Sequence, residues 1–424
     1  MCSQPRSRVS DLVEHFFRHE YGRSVSVLVK SFGTRHIEQI EDAIQSAMGT
    51  ALRTWAKSGV PDNASAWLVR TARNSLIDHL RRDQVGDTVL KQLAKSEQDS
   101  PAPTLEEILD DELRMLFICC NNGLSPKTQL VLALKILCGF SIKEIALRLF
   151  SNEETIRKRV TRGREQLREL APELESPNHQ EMKSRIDSVL HVIYVLFNEG
   201  YSSSKPDKPI RRELCQEALR LGKILCEHQI ATRNAWALQG LMHFHHARFD
   251  SRLCDKNGLI FLEQQDRSQW DLSEIQIGMK WLMKSGNTQP FSRYQIEAAI
   301  QLEHVTATSF EETNWEDISL MYKVLDKVHP TPLNTLNRAI AVAQWKGADE
   351  GLSLLDTMSP PGWLKRYYLW DAVLGELCRR CGYHARAREC LKRAKENAPT
   401  KAEKNRIQGW LDLCQALPKG SRRS

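Results

Sequence analysis

Two short stretches of the sequence carry side chains whose types and spacing suit contacts with nucleic acid. In the first, from Ala66 to Arg82, an aromatic ring could stack on an unpaired base, guanidinium groups could hold the phosphate backbone, and an amide could recognise a base edge. The leucines and Ala72 between them recur at helical spacing and would face a core. On this pattern alone, Trp67 could equally be a core anchor. The candidate contacts are Trp67, Arg70, Arg73, Asn74, Arg81 and Arg82.

The second stretch, from Ser141 to Leu167, has the spacing of a helix-turn-helix. Ala146 supplies a small residue where two helices would cross, and Ile156 supplies an apolar anchor on the second helix. Asn152 is expected to cap that helix, whose basic and hydroxyl side chains would then face solvent or the DNA major groove. A solvated cationic helix in a bundle is the alternative interpretation. The candidate contacts are Thr155, Arg157, Lys158, Arg159, Thr161, Arg162 and Arg164.

The elements that would position these residues are helical. Of the 424 residues, 41% are hydrophobic and 27% are charged, which is sufficient for ordinary globular cores. Apolar residues recur three and four positions apart, and no sustained alternation typical of strands is present. The sequence therefore predicts an all-α protein, and its net charge of +7 favours a polyanionic partner. One such apolar series consists of Ile37, Ile40, Ile44, Met48 and Leu52.

Polar breaks and charge divide the chain into four segments. A helical segment over 10–83 is followed by an acidic linker over 84–111, a second helical segment over 112–171 and a long helical remainder over 180–417. The remainder contains small residues and turn residues at the spacing of tetratricopeptide repeats, where they permit close helix approach. We therefore predict a tetratricopeptide-like repeat domain there. The residues in this register are Ala218, Trp236, Gly240, Leu374, Gly375, Gly382, Ala387, Ala394 and Pro399.

Several short motifs occur in the order typical of one bacterial family. They are Pro61-Asp62-Asn63 with Ala66-Trp67-Leu68, Thr71-Ala72-Arg73-Asn74 with Asp78 and Arg81-Arg82, and Leu124-Ser125-Pro126 before the helix-turn-helix. In this order the chain resembles an extracytoplasmic-function (ECF) sigma factor. Leu196 to Tyr201 and Leu262 to Asp271 further resemble the subgroup with a C-terminal helical-repeat extension. The resemblance implies a sigma region 2 domain at 10–83 and a sigma region 4 domain at 112–171.

The resemblance also implies roles for the candidate residues. The first domain would open the promoter, with Trp67, Arg70 and Arg73 holding the displaced strand and Asn74 accepting a flipped base of the minus-ten element. The helix after Asn152 would recognise the minus-thirty-five element, and the acidic linker would run toward the RNA exit path. The implied partners are core RNA polymerase, promoter DNA, and a protein or intramolecular partner of the repeat domain. Docking on polymerase would use Glu38, Glu41, Asp42 and Gln45, followed by Ser46 where the family commonly has an acid.

Other chemistry has little support in the residues. Cys378 and Cys381 form a single CxxC, and neither a phosphate-binding glycine loop nor a nucleophile with its base is recognisable. We therefore expect no enzyme activity, no cofactor and no metal. The apolar stretches fall short of the ~20 residues of a membrane span, and the first residues lack a signal-peptide pattern. A cytoplasmic location without membrane association is expected.

Two other functions remain open at this stage. A helix-turn-helix regulator with a tetratricopeptide-like sensor domain would bind duplex DNA without being a polymerase subunit. A repeat scaffold whose basic helices bind an acidic protein would show no preference for DNA, and its binding would be insensitive to salt. Residues 10–83 separate a sigma factor from the regulator, because only the sigma factor needs to open DNA strands.

Overall fold

The computed structural model describes residues 20–82, 105–149, 151–170, 179–203, 210–252, 260–365, 367–398 and 401–416. Throughout these ranges the chain forms helices joined by loops and contains no strand, so the all-α prediction is confirmed. The chain divides into two compact units. Unit 1 lies within 1–198 and 216–230, and unit 2 lies within 199–215 and 231–424.

Unit 1 contains both candidate surfaces. Its helices are α1 (20–32), α2 (Ile37–Ser58), α3 (Ala64–Arg82), α4 (Leu105–Cys119), α5 (Pro126–Ile136), α6 (Ile142–Arg148) and α7 (Glu153–Glu169), with most of α8 (His179–Tyr201) and α9 (Arg212–Glu227). The first nineteen residues and most of the predicted acidic linker lie outside the described ranges, and α4 begins within the last part of that linker segment. The first two helices of the predicted repeat domain therefore contribute to unit 1.

Helix α2 shows how helical periodicity selects its buried face. Ile40 and Ile44 are fully buried, but Leu52 is 53% exposed. Because a helix has 3.6 residues per turn, residues four apart move progressively around it. By this point in α2 the residue on the buried face is Ala51 and not Leu52. After the break that follows α2, the side chain of Asn63 accepts a hydrogen bond from the N–H of Ala66 at 2.9 Å and caps α3.

The two helices of the predicted helix-turn-helix, α6 and α7, each begin at a side-chain cap. Ser141 and Glu144 form a reciprocal capping box at the start of α6. The Asn152 side chain accepts the backbone N–H three residues later at 2.7 Å and caps α7, as predicted. Ala146 and Ile156 are at most 4% exposed, so the helix crossing lies where the spacing predicted it. Phe150, in the turn, lies outside the described residues.

Unit 2 consists of helices that pack closely through small residues. A Cβ atom added at Gly375 would lie 2.7 Å from Leu391 Cγ, and Ala387 and Ala394 on the next helix are fully buried. Gly382, in the turn between these helices, has φ +81°, a conformation that favours glycine. The tetratricopeptide assignment itself stays a prediction. The helices are α10 (Arg233–His246), α11 (Leu272–Lys284), α12 (Arg293–Thr306), α13 (Trp315–Val328), α14 (Pro332–Trp345), α15 (Ala348–Asp356), α16 (Gly362–Lys365), α17 (Tyr368–Arg380), α18 (His384–Asn397) and α19 (Lys401–Ala416).

Candidate nucleic-acid interface

The first candidate surface lies along α3. Trp67, Arg70, Asn74 and Arg81 follow one another at intervals of three, four and seven residues, so they share one face of this helix. Arg73 lies beside that face and is half-buried. Four residues on the opposite side are at most 3% exposed, as predicted for a core face: Leu68, Ala72, Leu76 and Leu80. Four of the candidate contacts are exposed: Arg70, Asn74, Arg81 and Arg82.

Trp67, at the start of this face, contacts a second tryptophan. Its ring packs edge-on against Trp55 of α2, with 5.3 Å between ring centroids and 63° between ring planes. Such aromatic pairs contribute about 0.5–1.5 kcal/mol beyond the area they bury. Trp67 is half-buried, so one side of the ring is anchored while part of it remains accessible. The two roles left open by the sequence are therefore compatible in the same side chain.

The second candidate surface is the N-terminal half of α7. Arg157 and Lys158 contact the carboxylate of Glu154 at 3.0 and 3.4 Å, and all three side chains are at least 59% exposed. Exposed ion pairs of this kind contribute only about 0–1 kcal/mol. A DNA phosphate could therefore replace the carboxylate of Glu154 with little loss of free energy. Thr161 and Arg162 are also exposed, one turn further along the helix.

An open depression lies between the start of α5 and one side of α7, from Thr155 to Glu169. It has a volume of about 530 Å³. Cationic side chains that can pair with phosphate oxygens line it beside hydroxyl groups that can donate hydrogen bonds to them. Glu165 and Glu169 lie at the same depression. The cationic and hydroxyl-bearing residues are Lys158, Arg159, Arg162, Ser125, Thr128 and Thr155.

The four predicted polymerase contacts on α2 differ in exposure. Asp42 and Gln45 are exposed and Glu38 is half-buried, whereas Glu41 is only 2% exposed. The Tyr21 hydroxyl donates a hydrogen bond to Glu41 Oε1 at 2.7 Å. Burial and the neighbouring Glu41 carboxylate raise the pKa of Tyr21 well above its ordinary value, so the phenol remains protonated and continues to donate.

Arg164 of α7 occupies the other oxygen of Glu41. Its guanidinium donates to Glu41 Oε2, and its side chain is 19% exposed. From the sequence, Arg164 is expected to face solvent or DNA, and this expectation is wrong for the free chain because its guanidinium packs against α2. One turn later, Arg168 contacts Glu38 at 3.1 Å. The structure therefore joins two sets of residues that motif spacing treated separately, and it adds Tyr21 and Arg168, which belong to no recognised motif.

The motif at the end of α8 has a packing role in unit 2. A Cβ atom added at Gly200 would lie 2.5 Å from Cys215 Sγ and 2.8 Å from the carbonyl oxygen of Arg211. The N–H of Arg211 donates to the carbonyl of Gly200 at 2.8 Å, and the Arg211 side chain lies 3.6 Å from the buried carboxylate of Glu199. The close approach requires glycine, which accounts for its place in the motif.

The second quoted motif positions loops and helix starts. Asp271 caps α11 by accepting two backbone N–H groups. Arg267 donates to the carbonyl oxygens of His304 and Ala307 at 2.7 and 2.6 Å, and its guanidinium lies 4.8 Å from the centroid of the Trp270 ring. These contacts tie the loop to the end of α12.

An open groove of about 770 Å³ lies within unit 2. Aromatic and charged side chains line it, among them Trp315, Trp410 and Arg379. The Arg406 guanidinium lies 3.7 Å from the centroid of the Phe261 ring. The lining thus combines apolar and aromatic surface with charged groups of both signs, including Glu376 and Arg379.

No group of three or more His, Cys, Asp or Glu side chains in the described part of the chain is arranged to hold a metal ion. None of the described helices is both long enough and apolar enough to cross a bilayer.

Comparisons with known proteins identify three segments and two relatives. Residues 17–85 match Sigma-70 region 2, residues 114–167 match Sigma-70 region 4, and residues 185–286 match DUF6596, a family of unknown function. Over 402 residues, 93% of this chain, it is 31% identical to "Uncharacterized protein R00370" of Rhizobium meliloti (strain 1021), 94% of which is covered. Over 147 residues, 33% of this chain, it is 26% identical to "Probable ECF RNA polymerase sigma factor SigI" of Mycobacterium tuberculosis, of which it covers 50%. No solved structure matches.

The two sigma-region matches contain the two candidate surfaces described above. Region 2 includes the α3 face and the carboxylates of α2, and region 4 includes α7. The Rhizobium meliloti relative covers nearly the whole chain. The chain therefore contains a Sigma-70 region 2 domain and a Sigma-70 region 4 domain, is similar over part of its length to an ECF sigma factor, and carries a helical C-terminal extension in which residues 185–286 match DUF6596.

Proposed function

We propose that this sigma factor binds core RNA polymerase, directs it to promoters and opens the strands at the minus-ten element. The observation that carries the proposal is the α3 face within the region 2 match, where an aromatic ring, an amide and several guanidinium groups lie side by side on an exposed surface. A single strand needs a stacking platform and backbone charge, and this face offers both. The protein would act in the cytoplasm, without a membrane partner and without chemistry of its own.

At the minus-ten element, the candidate residues of α3 would have three roles: stacking, backbone contact and base recognition. Trp67, held by Trp55, supplies the stacking surface, and the guanidinium groups of Arg70, Arg73, Arg81 and Arg82 hold the phosphate backbone. The exposed amide of Asn74 has a donor and an acceptor with which to recognise a flipped base.

At the minus-thirty-five element, α7 would enter the major groove by its N-terminal half. Arg157, Lys158 and Arg162 are exposed there, and the depression beside α5 can hold phosphates of the adjacent backbone. The helical extension would regulate or dock the factor, and the groove in unit 2 is the candidate site for its protein or intramolecular partner.

The test is transcription by purified bacterial core polymerase on a pool of promoters, with and without the full-length protein. The full chain is required because helices of the extension pack in unit 1: Arg185 donates to the carbonyl of Phe117 at 3.2 Å, and Arg220 lies 2.7 Å from Glu112. We expect initiation at a subset of promoters only when the protein is present. Duplex binding without polymerase recruitment would favour the regulator, and absence of initiation at every promoter would refute the proposal.

The role of Asn74 can be tested separately. Asn74→Ala should weaken the preference at one base of the minus-ten element while polymerase binding stays unchanged, because the amide would contact a base and not the enzyme. His79→Ala, at an exposed position on another side of α3, is the matched control. Equal loss on all promoter sequences would contradict base recognition by Asn74.

A further inference from the structure

In unit 1 the carboxylates of α2 are occupied by guanidinium groups of α7. Tyr21 and Arg164 engage the two oxygens of Glu41, and Arg168 contacts Glu38 at 3.1 Å. The two arginines are four residues apart and the two glutamates three apart, so each pair lies on one face of its helix. We call the set Glu38, Glu41, Arg164 and Arg168 the latch.

The latch is supported by further contacts of α1 with α4 and with the end of α5. Lys30 of α1 lies 3.0 Å from Asp111, and Arg23 of α1 lies 3.6 Å from Glu112. A Cβ atom added at Gly22 would lie 2.3 Å from the carbonyl oxygen of Leu137, so α1 approaches the end of α5 along its backbone. The arrangement is therefore an extended interface and not one isolated ion pair.

The two ion pairs of the latch contribute differently. Glu38 and Arg168 are 40% and 48% exposed, and an exposed pair contributes little. Glu41 and Arg164 are 2% and 19% exposed. Removal of one partner from a buried pair leaves an uncompensated charge away from water, which is strongly unfavourable. Of the two latch arginines, Arg164 is therefore the one on which the closed arrangement depends more.

We propose that, in the free protein, Arg164 and Arg168 mask Glu38 and Glu41 of the polymerase-docking face of α2 by occupying the positions that basic side chains of the polymerase would take. This inference rests on the proposed function, in which α2 docks on core polymerase. The partner surface that fits Glu38 and Glu41 is a helix with two basic residues one turn apart. Docking then requires the release of α7 from α2, which couples polymerase binding to the separation of regions 2 and 4.

The closed arrangement leaves the other end of α7 accessible. Arg157 and Lys158 are exposed and are more than one helical turn away from Arg164. The free protein should therefore retain contact with duplex DNA through the N-terminal half of α7. The latch masks Glu38 and Glu41 and leaves this DNA-facing end of α7 open, which distinguishes it from a general block of DNA binding.

A distance measurement in the absence of polymerase tests the latch directly. Spin labels would be introduced through noncanonical amino acids at the exposed positions Ser58 in region 2 and Lys127 in region 4. We expect one short distance for the unmodified chain and a shift to longer distances for Arg164→Gln. Arg164→Lys should restore the short distance because it keeps the charge. Lys143→Gln removes one exposed charge from region 4 and should change nothing.

A second measurement compares affinities for core polymerase without DNA. If the closed form holds about nine-tenths of the molecules, Arg164→Gln should bind polymerase about tenfold more tightly, because affinity scales with the competent fraction. Should Arg164→Gln lose helical content, Arg168→Glu replaces it, since this charge reversal repels Glu38 at an exposed site. It should shift distance and affinity in the same direction by a smaller factor.

The outcomes separate the latch from the proposed function. The latch is overturned if the distance between the labels at Ser58 and Lys127 does not change in Arg164→Gln or, in its place, in Arg168→Glu. It is also overturned if Lys143→Gln changes that distance by the same amount. If the distance responds as expected but no form of the protein binds polymerase, the latch is supported as a contact between regions 2 and 4 while the proposed function fails.

Discussion

Removal of the cap at the start of α7 tests whether the folded first turn of this helix sets affinity for the minus-thirty-five element. In Asn152→Ala the hydrogen bond of 2.7 Å between Asn152 Oδ1 and the N–H of Thr155 is lost. Such a loss costs about 1 kcal/mol of helix stability. Because Thr155 and Arg157 lie in the first turns, we expect about fivefold weaker duplex binding, given that about 1.4 kcal/mol corresponds to tenfold.

The assay is fluorescence anisotropy of a labelled minus-thirty-five duplex with the full-length protein at several salt concentrations. Asn152→Ser keeps a capping oxygen and should bind within about twofold of the unmodified chain. The slope of affinity against salt should stay unchanged in Asn152→Ala, because no cation is removed, whereas Arg157→Ala should reduce that slope by about one. Equal weakening by Ala and Ser, or a changed slope in Asn152→Ala, would show that the capping hydrogen bond does not set the affinity for the duplex.

Three further predictions concern packing, stacking and pH. Gly200→Ala should lower the free energy of unfolding by about 1–3 kcal/mol, because its methyl group would overlap backbone atoms. Gly49→Ala, at an open position of α2, should instead raise this free energy by up to about 1 kcal/mol. Urea unfolding measures both changes. Trp67→Ala should slow strand opening at the minus-ten element at least about fivefold, since stacking contributes about 1–3 kcal/mol per base. Trp67→Phe keeps an aromatic ring and should retain most of the rate. The fluorescence of 2-aminopurine in the promoter follows strand opening for both variants. Burial raises the pKa of Glu112 from 4.5 to about 7 even beside Arg220, so the folded chain holds a proton that the unfolded chain releases. The associated stability is present below pH 4.5 and is lost as the pH rises through 7, by roughly 3 kcal/mol; thermal unfolding from pH 4.5 to 8 should show this dependence, and Glu112→Gln should remove it.

The local features of both candidate surfaces could be predicted from the sequence. The cap at Asn152, the crossing at Ala146 and the buried face of α3 each depend on residues less than a few turns apart, so helical periodicity and capping preferences are sufficient. Leu52 shows the limit of that approach, because a spacing of four places a residue progressively off the buried face of a long helix.

Contacts between distant segments could not be predicted in this way. Glu41 and Arg164 are separated by 123 residues, and each has an ordinary surface role in its own motif. Nothing in either local pattern indicates that the carboxylate is buried or that its partner is a residue of region 4. The same holds for Gly200, whose need for close approach becomes visible only when the carbonyl of Arg211 is placed beside it.

The position of the latch on α7 leads to an ordering of events at the promoter. The helix presents Arg157 and Lys158 at one end and holds α2 with Arg164 at the other. Docking on polymerase would require the release of Arg164 from Glu41. Duplex DNA would contact Arg157 and Lys158, which lie on earlier turns of α7 than Arg164. Binding of duplex DNA alone therefore would not expose Glu41. Polymerase must therefore compete with Arg164 for Glu41 before the α3 face can be used for strand opening. A factor bound to duplex DNA alone would consequently remain closed, and its latch distance would change only when core polymerase is added.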